Sequence, residues 1–186
     1  PGEDWVLSED GSRLFVSLPA SNRVAVVDTA TWKVAAQIET GPRPRRLGLQ
    51  PDGQYLWAAH DAGVTVIDAR ASRKVADLAT GAATGAATGA DGHDLAFSDD
   101  SLFAFVTNEA GATVSVIDAG RLAKLRDVKV GGRPVSLAWS SQAKAAYVVS
   151  AGDGTIAVVD GQAAQPRARI QSRPGLGRIR FAPGGR

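Results

Sequence analysis

The sequence predicts an all-β fold assembled from repeated four-stranded antiparallel units, on three observations. First, a turn signal recurs. Ser8-Glu9-Asp10-Gly11, Gln50-Pro51-Asp52-Gly53, Ser98-Asp99-Asp100-Ser101 and Ser140-Ser141-Gln142-Ala143 end 42, 48 and 42 positions apart, and Ala182-Pro183-Gly184-Gly185 is a weaker fifth copy 42 further on. Second, short segments of period-two alternation flank every turn, which is the pattern of half-buried strands. Third, no segment carries a sustained apolar stripe at the 3.6-residue helical period. Repeats of about 40–50 residues belong to architectures whose units stack to bury a shared core.

Each unit reads as strands a to d. Strand a precedes the turn: Trp5 and Leu7 match Leu47 and Leu49, Leu95 and Phe97, Leu137 and Trp139, and Ile179 and Phe181. Strand b follows it, with an aromatic in every copy: Phe15-Val16-Ser17-Leu18, Trp57-Ala58-Ala59-His60, Phe105-Val106-Thr107-Asn108 and Tyr147-Val148-Val149-Ser150. That ring is expected between neighbouring sheets, where it removes the most apolar area from water. All four Trp residues are expected in the core. Strand c runs Val24–Asp28, Val64–Asp68, Val114–Asp118 and Ile156–Asp160. Its closing Asp is expected to accept backbone N–H bonds in an Asx-type turn, not to bind metal. Strand d (Lys33–Ile38, Lys74–Leu78, Leu125–Val130, Arg167–Ile170) is the least regular, and its charges suit a solvent edge.

One such sheet cannot bury both faces alone, whereas radial stacking can, so the expectation is a β-propeller. Blades fall near 4–41, 42–91, 92–132 and 133–175, with the first strand of a fifth at 176–186. The composition agrees: 44% of the 186 residues are hydrophobic and the mean hydropathy is −0.07. No apolar run approaches the roughly 18 residues of a membrane helix. With no Cys, disulfides, thiolate metal sites, Cys nucleophiles and covalent haem attachment are excluded within these residues. The chain opens on Pro1 and has no Met, so it reads as a processed or excised piece.

Phe105-Val106-Thr107-Asn108, the Val-Gly-Gly-Arg-Pro run at 130–134, Pro-Asp-Gly at 51–53 and the Val-x-Val-Ile-Asp strands resemble the YVTN family of β-propellers. The resemblance covers residues 5–185. It implies a ring of seven or eight blades, of which this chain holds four and one strand, completed by further blades of a parent chain or by a second copy. It also implies a periplasmic or cell-surface setting. Some members resemble the haem-binding propeller of cytochrome nitrite reductases.

In a propeller the b–c loops and the d–a loops share one face around the channel, and ligands collect there. The b–c loops here are 19–23, 61–63, 109–113 and 151–155. The d–a loops are 39–46, 79–94, 131–136 and 171–178. The second d–a loop carries about eight extra residues of low complexity, from Gly81 to Gly89. It leads into a strand rather than opening a helix, so it is a neutral insertion or a flap and not a phosphate loop. His60 and His93 lie on adjacent blades beside Asp61 and Asp94, and are the candidate cofactor ligands, with haem as the candidate cofactor. Arg45, Arg46, Arg133 and Arg178 are the candidate anion-binding residues, because guanidinium pairs with carboxylate or phosphate bidentately.

No nucleophile–base constellation is present, so a non-enzymatic binding or surface module ranks first. A haem-type redox propeller ranks second and a hydrolase or lyase last. The expected partner is a protein or a small anionic ligand. Nucleic acid is not expected, since the aromatics occupy core strand positions and cannot stack on bases. The net charge of +2 is too small to argue otherwise.

Overall fold

The computed structural model describes residues 2–81 and 94–181. It contains sixteen strands and one short 3-10 turn at Pro19–Ser21. The strands form four antiparallel four-stranded sheets, each a meander in chain order. The first sheet is β1 (Trp5–Leu7), β2 (Arg13–Leu18), β3 (Arg23–Asp28) and β4 (Lys33–Glu39). The second is β5 (Arg46–Leu49), β6 (Tyr55–His60), β7 (Gly63–Asp68) and β8 (Arg73–Ala79). The third is β9 (Leu95–Phe97), β10 (Phe103–Asn108), β11 (Thr113–Asp118) and β12 (Ala123–Lys129). The fourth is β13 (Pro134–Ser140), β14 (Ala145–Ser150), β15 (Thr155–Asp160) and β16 (Gln165–Gln171). The chain divides into two compact units, residues 1–79 and 80–186, with two sheets in each.

Turn chemistry closes each sheet as the residue types dictate. In the a–b turns, Asp10, Asp52 and Asp100 accept the backbone N–H two residues on, at 3.0, 2.9 and 3.1 Å. In the c–d turns, Asp28, Asp68, Asp118 and Asp160 accept the N–H three residues on, at 2.7, 2.7, 2.8 and 2.8 Å. The carboxylates expected to close turns do so. Strands c and d are longer than their alternation suggests. In every sheet the c–d ladder skips one residue of strand d, at Ala35, Val75, Leu125 and Arg167. A bulge flips the alternation at one point, so strand d looks irregular in sequence although it pairs along its whole length.

Each unit buries a core between its own two sheets. In the first, Phe15, Val24, Val26 and Ile38 pack against Leu47, Leu56, Ala58 and Ile67. In the second, Phe105, Val114, Val116 and Val128 pack against Leu137, Ala146, Val148 and Val159. The Phe105 ring stacks on Trp139 with centroids 5.4 Å apart. A polar latch ties the inner strands. Asp4 Oδ2 accepts the Leu47 N–H at 2.9 Å. Forty-three residues separate that pair, as they do Asp94 and Leu137, where Asp94 Oδ2 accepts the N–H at 3.1 Å.

Two expectations need correction. Trp57 is fully buried and Trp139 half-buried, but Trp5 and Trp32 are 65% and 72% exposed. Trp5 lies on a sheet face that no other sheet covers among the described residues, and Trp32 sits in a c–d turn with a left-handed φ of 54°. A strand position buries a ring only where a second sheet packs on that face. Likewise Ile179–Phe181 does not form a strand. Every strand a here pairs with the strand b that follows it, and 176–181 has no such partner among the described residues. Those residues still lean on the fourth sheet. Phe181 meets Tyr147 edge-on at 5.3 Å and the Ile179 N–H donates to Ser136 Oγ at 3.3 Å.

Candidate functional site

Within each unit the b–c and d–a loops do share one edge, held by backbone bonds between them. In the first unit, Thr40 N–H donates to Asn22 O at 2.9 Å and Asp61 N–H to Pro42 O at 3.0 Å. In the second, Val130 N–H donates to Ala112 O at 3.1 Å, while Ala151 N–H donates to Arg133 O and Gly152 N–H to Gly132 O, both at 2.9 Å. Asp153 Oδ2 accepts the Gly132 N–H at 3.0 Å. That bond, with the Thr155 hydroxyl, outweighs burial and holds the Asp153 carboxyl below the usual aspartate range.

The last residue of strand b sits under the glycine that follows the preceding strand d. His60 lies under Gly41, Asn108 under Gly81 and Ser150 under Gly131. A Cβ at Gly41 would fall inside the van der Waals envelope of the His60 ring, so the close approach requires glycine there. A polar relay runs beneath. The Gly41 N–H donates to Thr65 Oγ1 at 3.2 Å, Thr65 Oγ1 donates to Asp77 at 2.6 Å, and Lys74 Nζ donates to Asp77 at 2.8 Å. The second unit repeats it: the Gly81 N–H to Ser115 Oγ at 3.2 Å, Ser115 to Asp127 at 2.5 Å, and Lys124 to Asp127 at 2.8 Å. Asn108 Nδ2 joins that relay, donating to Thr113 Oγ1 at 3.1 Å and Ser115 Oγ at 3.0 Å. Burial raises the pKa of Asp77 and Asp127, but the lysine and hydroxyl donors overcome it and the net shift is downward.

The candidate residues fall as follows. His60 is 3% exposed, and its Nδ1 accepts the Ala62 N–H at 3.2 Å. His93 and the insertion from 82 to 93 lie outside the described residues. Arg45 is paired with Glu3 at 3.5 Å and Arg46 with Asp4 at 3.8 Å. Arg133 is exposed, with Nε donating to Glu109 Oε1 at 3.0 Å. Arg178 is exposed.

Sequence reasoning missed two further residues of this edge. Arg43 pairs with Asp61 and, like Arg133, adopts a left-handed φ, 52° and 59° respectively. The shared Arg-Pro step at 43–44 and 133–134 was the available signal. Glu109 is the second. Its Oε2 is buried and makes no hydrogen bond among the described residues, so Arg133 engages only one oxygen of the Glu109 carboxylate. Among the described residues, no group of three or more His, Asp or Glu side chains converges to hold a metal ion. No helix among them is long and apolar enough to cross a membrane.

Comparison with known proteins supports the architecture. No family model matches the chain. A stretch of 85 residues, 44% of the chain, is 32% identical to Protein NirF of Stutzerimonas stutzeri, of which it spans 21%. The fold is similar to a chain of Kuenenia stuttgartiensis hydrazine synthase, with a TM-score of 0.79 and 23% identity over 99% of this chain and 53% of that one. It is also similar to a functionally unknown protein of Desulfotomaculum acetoxidans, with a TM-score of 0.80 and 14% identity over 99% of this chain and 60% of that one. A chain of the mitotic checkpoint complex matches at a TM-score of 0.79 and 16% identity, over 96% and 53%. The chain thus spans little more than half of these solved chains and about a fifth of NirF. With four antiparallel four-stranded sheets and propeller-like structural neighbours, it is an all-β chain of four β-propeller blades.

Proposed function

We infer that the chain is a binding module of the propeller type, without catalytic machinery of its own, whose ligand edge is formed by the d–a and b–c loops. The observation that carries this is where the repeats differ. Each c–d turn closes on an Asp in every blade, while the loop edge has Arg43 on Asp61 in one unit and Arg133 on Glu109 in the other. Guanidinium groups on carboxylates at a solvent edge suit exchange onto an incoming anion, either a small polyanion or an acidic side chain of a protein partner. Arg45, Arg46 and Arg178 are its further candidate contacts. The YVTN-like tetrapeptide at 105–108 supports an extracytoplasmic member of that family, with further blades completing a ring. Isothermal titration with citrate and with inorganic phosphate tests the ligand class. Binding in the millimolar range or tighter is expected, weakened about tenfold by Arg133→Ala. Flat titrations with both anions would exclude the anion reading.

A second reading is a haem-type cofactor propeller. The run Gly92-His93-Asp94 favours it, because imidazole and carboxylate groups can ligate a transition metal or a haem iron. His60 and His93 are the candidate ligands of this reading. It predicts a shifted Soret band on haem addition that is lost in His93→Ala. Identical spectra for the two proteins would sink it.

A further inference from the structure

The first unit carries a cavity among the a–b and c–d turns of its two blades, at the end of the strands away from the loop edge. Its volume is about 460 Å³, and Glu9, Asp10, Arg13, Gly53, Ala69 and Arg70 are among its lining residues. That size suits a small ligand. Two of the charged groups are already engaged. Arg13 Nη1 donates to Ala69 O at 2.8 Å, to Ser72 Oγ at 3.1 Å and to Arg70 O. Asp10 accepts the Ser8 hydroxyl at 2.6 Å and the Ser12 N–H and hydroxyl at 3.0 and 2.8 Å. Glu9 and Arg70 are different. Both are exposed, and neither side chain has an ion pair or hydrogen bond among the described residues. Glu9 comes from the a–b turn of blade one and reaches that of blade two, where a Cβ on Gly53 would stand 2.9 Å from its Oε2. Arg70 comes from the c–d turn of blade two. One cavity thus holds an acid and a base that do not close on each other.

The second unit shows what satisfies an acid at this position. Asp99 is the counterpart of Glu9. It accepts the Trp139 Nε1–H and the Lys144 ammonium, both at 2.9 Å. In blade two the counterparts of Trp139 and Lys144 are Leu49 and Gln54. Leu49 has no donor, and the Gln54 amide donates to the Tyr55 hydroxyl at 3.1 Å. The counterpart of Arg70 is the uncharged Gln162. The first unit therefore lacks the ammonium that its repeat supplies and adds a guanidinium that its repeat does not have.

We propose that this cavity binds a small zwitterion of the amino acid class, with its ammonium on Glu9 and its carboxylate on Arg70. The ammonium plays the part that Lys144 plays against Asp99. The guanidinium takes the carboxylate through two parallel bonds. The site shares no residue with the loop edge, so it stands or falls independently of the anion reading there.

Two-dimensional NMR titration of the intact chain with L-leucine tests this. Leucinamide, which lacks the carboxylate, and isocaproate, which lacks the ammonium, are the controls. Leucine should bind with a Kd of about 1 mM or tighter and shift the amides of Glu9, Gly53 and Arg70. Each control should bind at least about fivefold more weakly. Glu9→Gln and Arg70→Gln should each weaken leucine about tenfold with unchanged circular dichroism, since both side chains are exposed. Arg133→Ala, at the other edge, should leave leucine binding as it is. A titration flat to about 50 mM would overturn the proposal. So would leucinamide or isocaproate binding as tightly as leucine, or leucine binding that survives both substitutions.

Discussion

The tetrapeptide Phe105-Val106-Thr107-Asn108 assigns one task to each side chain. Phe105 stacks on Trp139, and Val106 is fully buried. Thr107 Oγ1 accepts the Asp94 N–H at 2.8 Å, which fixes the start of the inner strand. Asn108 places both amide hydrogens on the hydroxyls of Thr113 and Ser115. Removing that amide takes the donor from the buried Thr113 hydroxyl and one of three bonds from Ser115, so Asn108→Ala is expected to cost about 1–3 kcal/mol in urea unfolding. A loss under about 0.5 kcal/mol would show that the relay does not hold the b–c loop. Aspartate is the other recurrent residue. Asp10 is held down to about 2, first by the Ser8 hydroxyl and then by the Ser12 N–H and hydroxyl. The Thr31 N–H lowers Asp28, and the Ala163 N–H together with Arg167 lowers Asp160 against the opposing effect of burial. In each case the folded pKa lies below the unfolded one, so the unfolded chain binds more protons as acid is added. Their stabilisation is complete above about pH 4 and is lost as pH falls through the folded values, down to about 2 for Asp10. Urea midpoints at descending pH should therefore hold steady to about pH 4 and then drop. A midpoint insensitive to acid would contradict these hydrogen bonds.

At the scale of the element, strand b and the turns were legible in the sequence because their signals are local. An aromatic, a β-branched residue and an Asp at fixed offsets leave little choice of register. Strand d was less legible, because the bulge at Ala35, Val75, Leu125 and Arg167 breaks alternation without breaking pairing. The site was less legible still. His60 ends strand b in sequence and in structure alike, but its ring lies under Gly41. Nothing in the local sequence reports that approach, since Gly41 lies nineteen residues upstream in the preceding blade. The close pairing has a measurable consequence. Gly41→Ala pushes a methyl into the imidazole and is expected to destabilise by about 1–3 kcal/mol. Ser150 occupies the equivalent position under Gly131, so His60→Ser should make room and recover most of that loss. A double-mutant cycle measures the coupling, and additive losses would mean that the two residues do not meet.

At the scale of the whole molecule, a chain of stacked sheets takes its stability from the blades and from the joints between neighbours. Sequence comparison revealed the number of blades, because the period is carried by turns. It could not reveal which faces are covered, because equivalent residues look alike whether or not a neighbour packs on them. Trp5 and Leu47 hold the same register position, yet one is exposed and the other buried. The strand-b aromatics turn this difference into an experiment. Phe15 is fully enclosed by the two sheets of its unit, so Phe15→Ala removes a core ring and should cost about 3–5 kcal/mol. Tyr147 holds the same position in blade four, where it is half-buried and meets the exposed Phe181 edge-on. Tyr147→Ala should therefore cost clearly less, under about 2 kcal/mol. Urea unfolding of the two variants measures both losses, and equal losses at the two positions would mean that Tyr147 is as fully enclosed as Phe15.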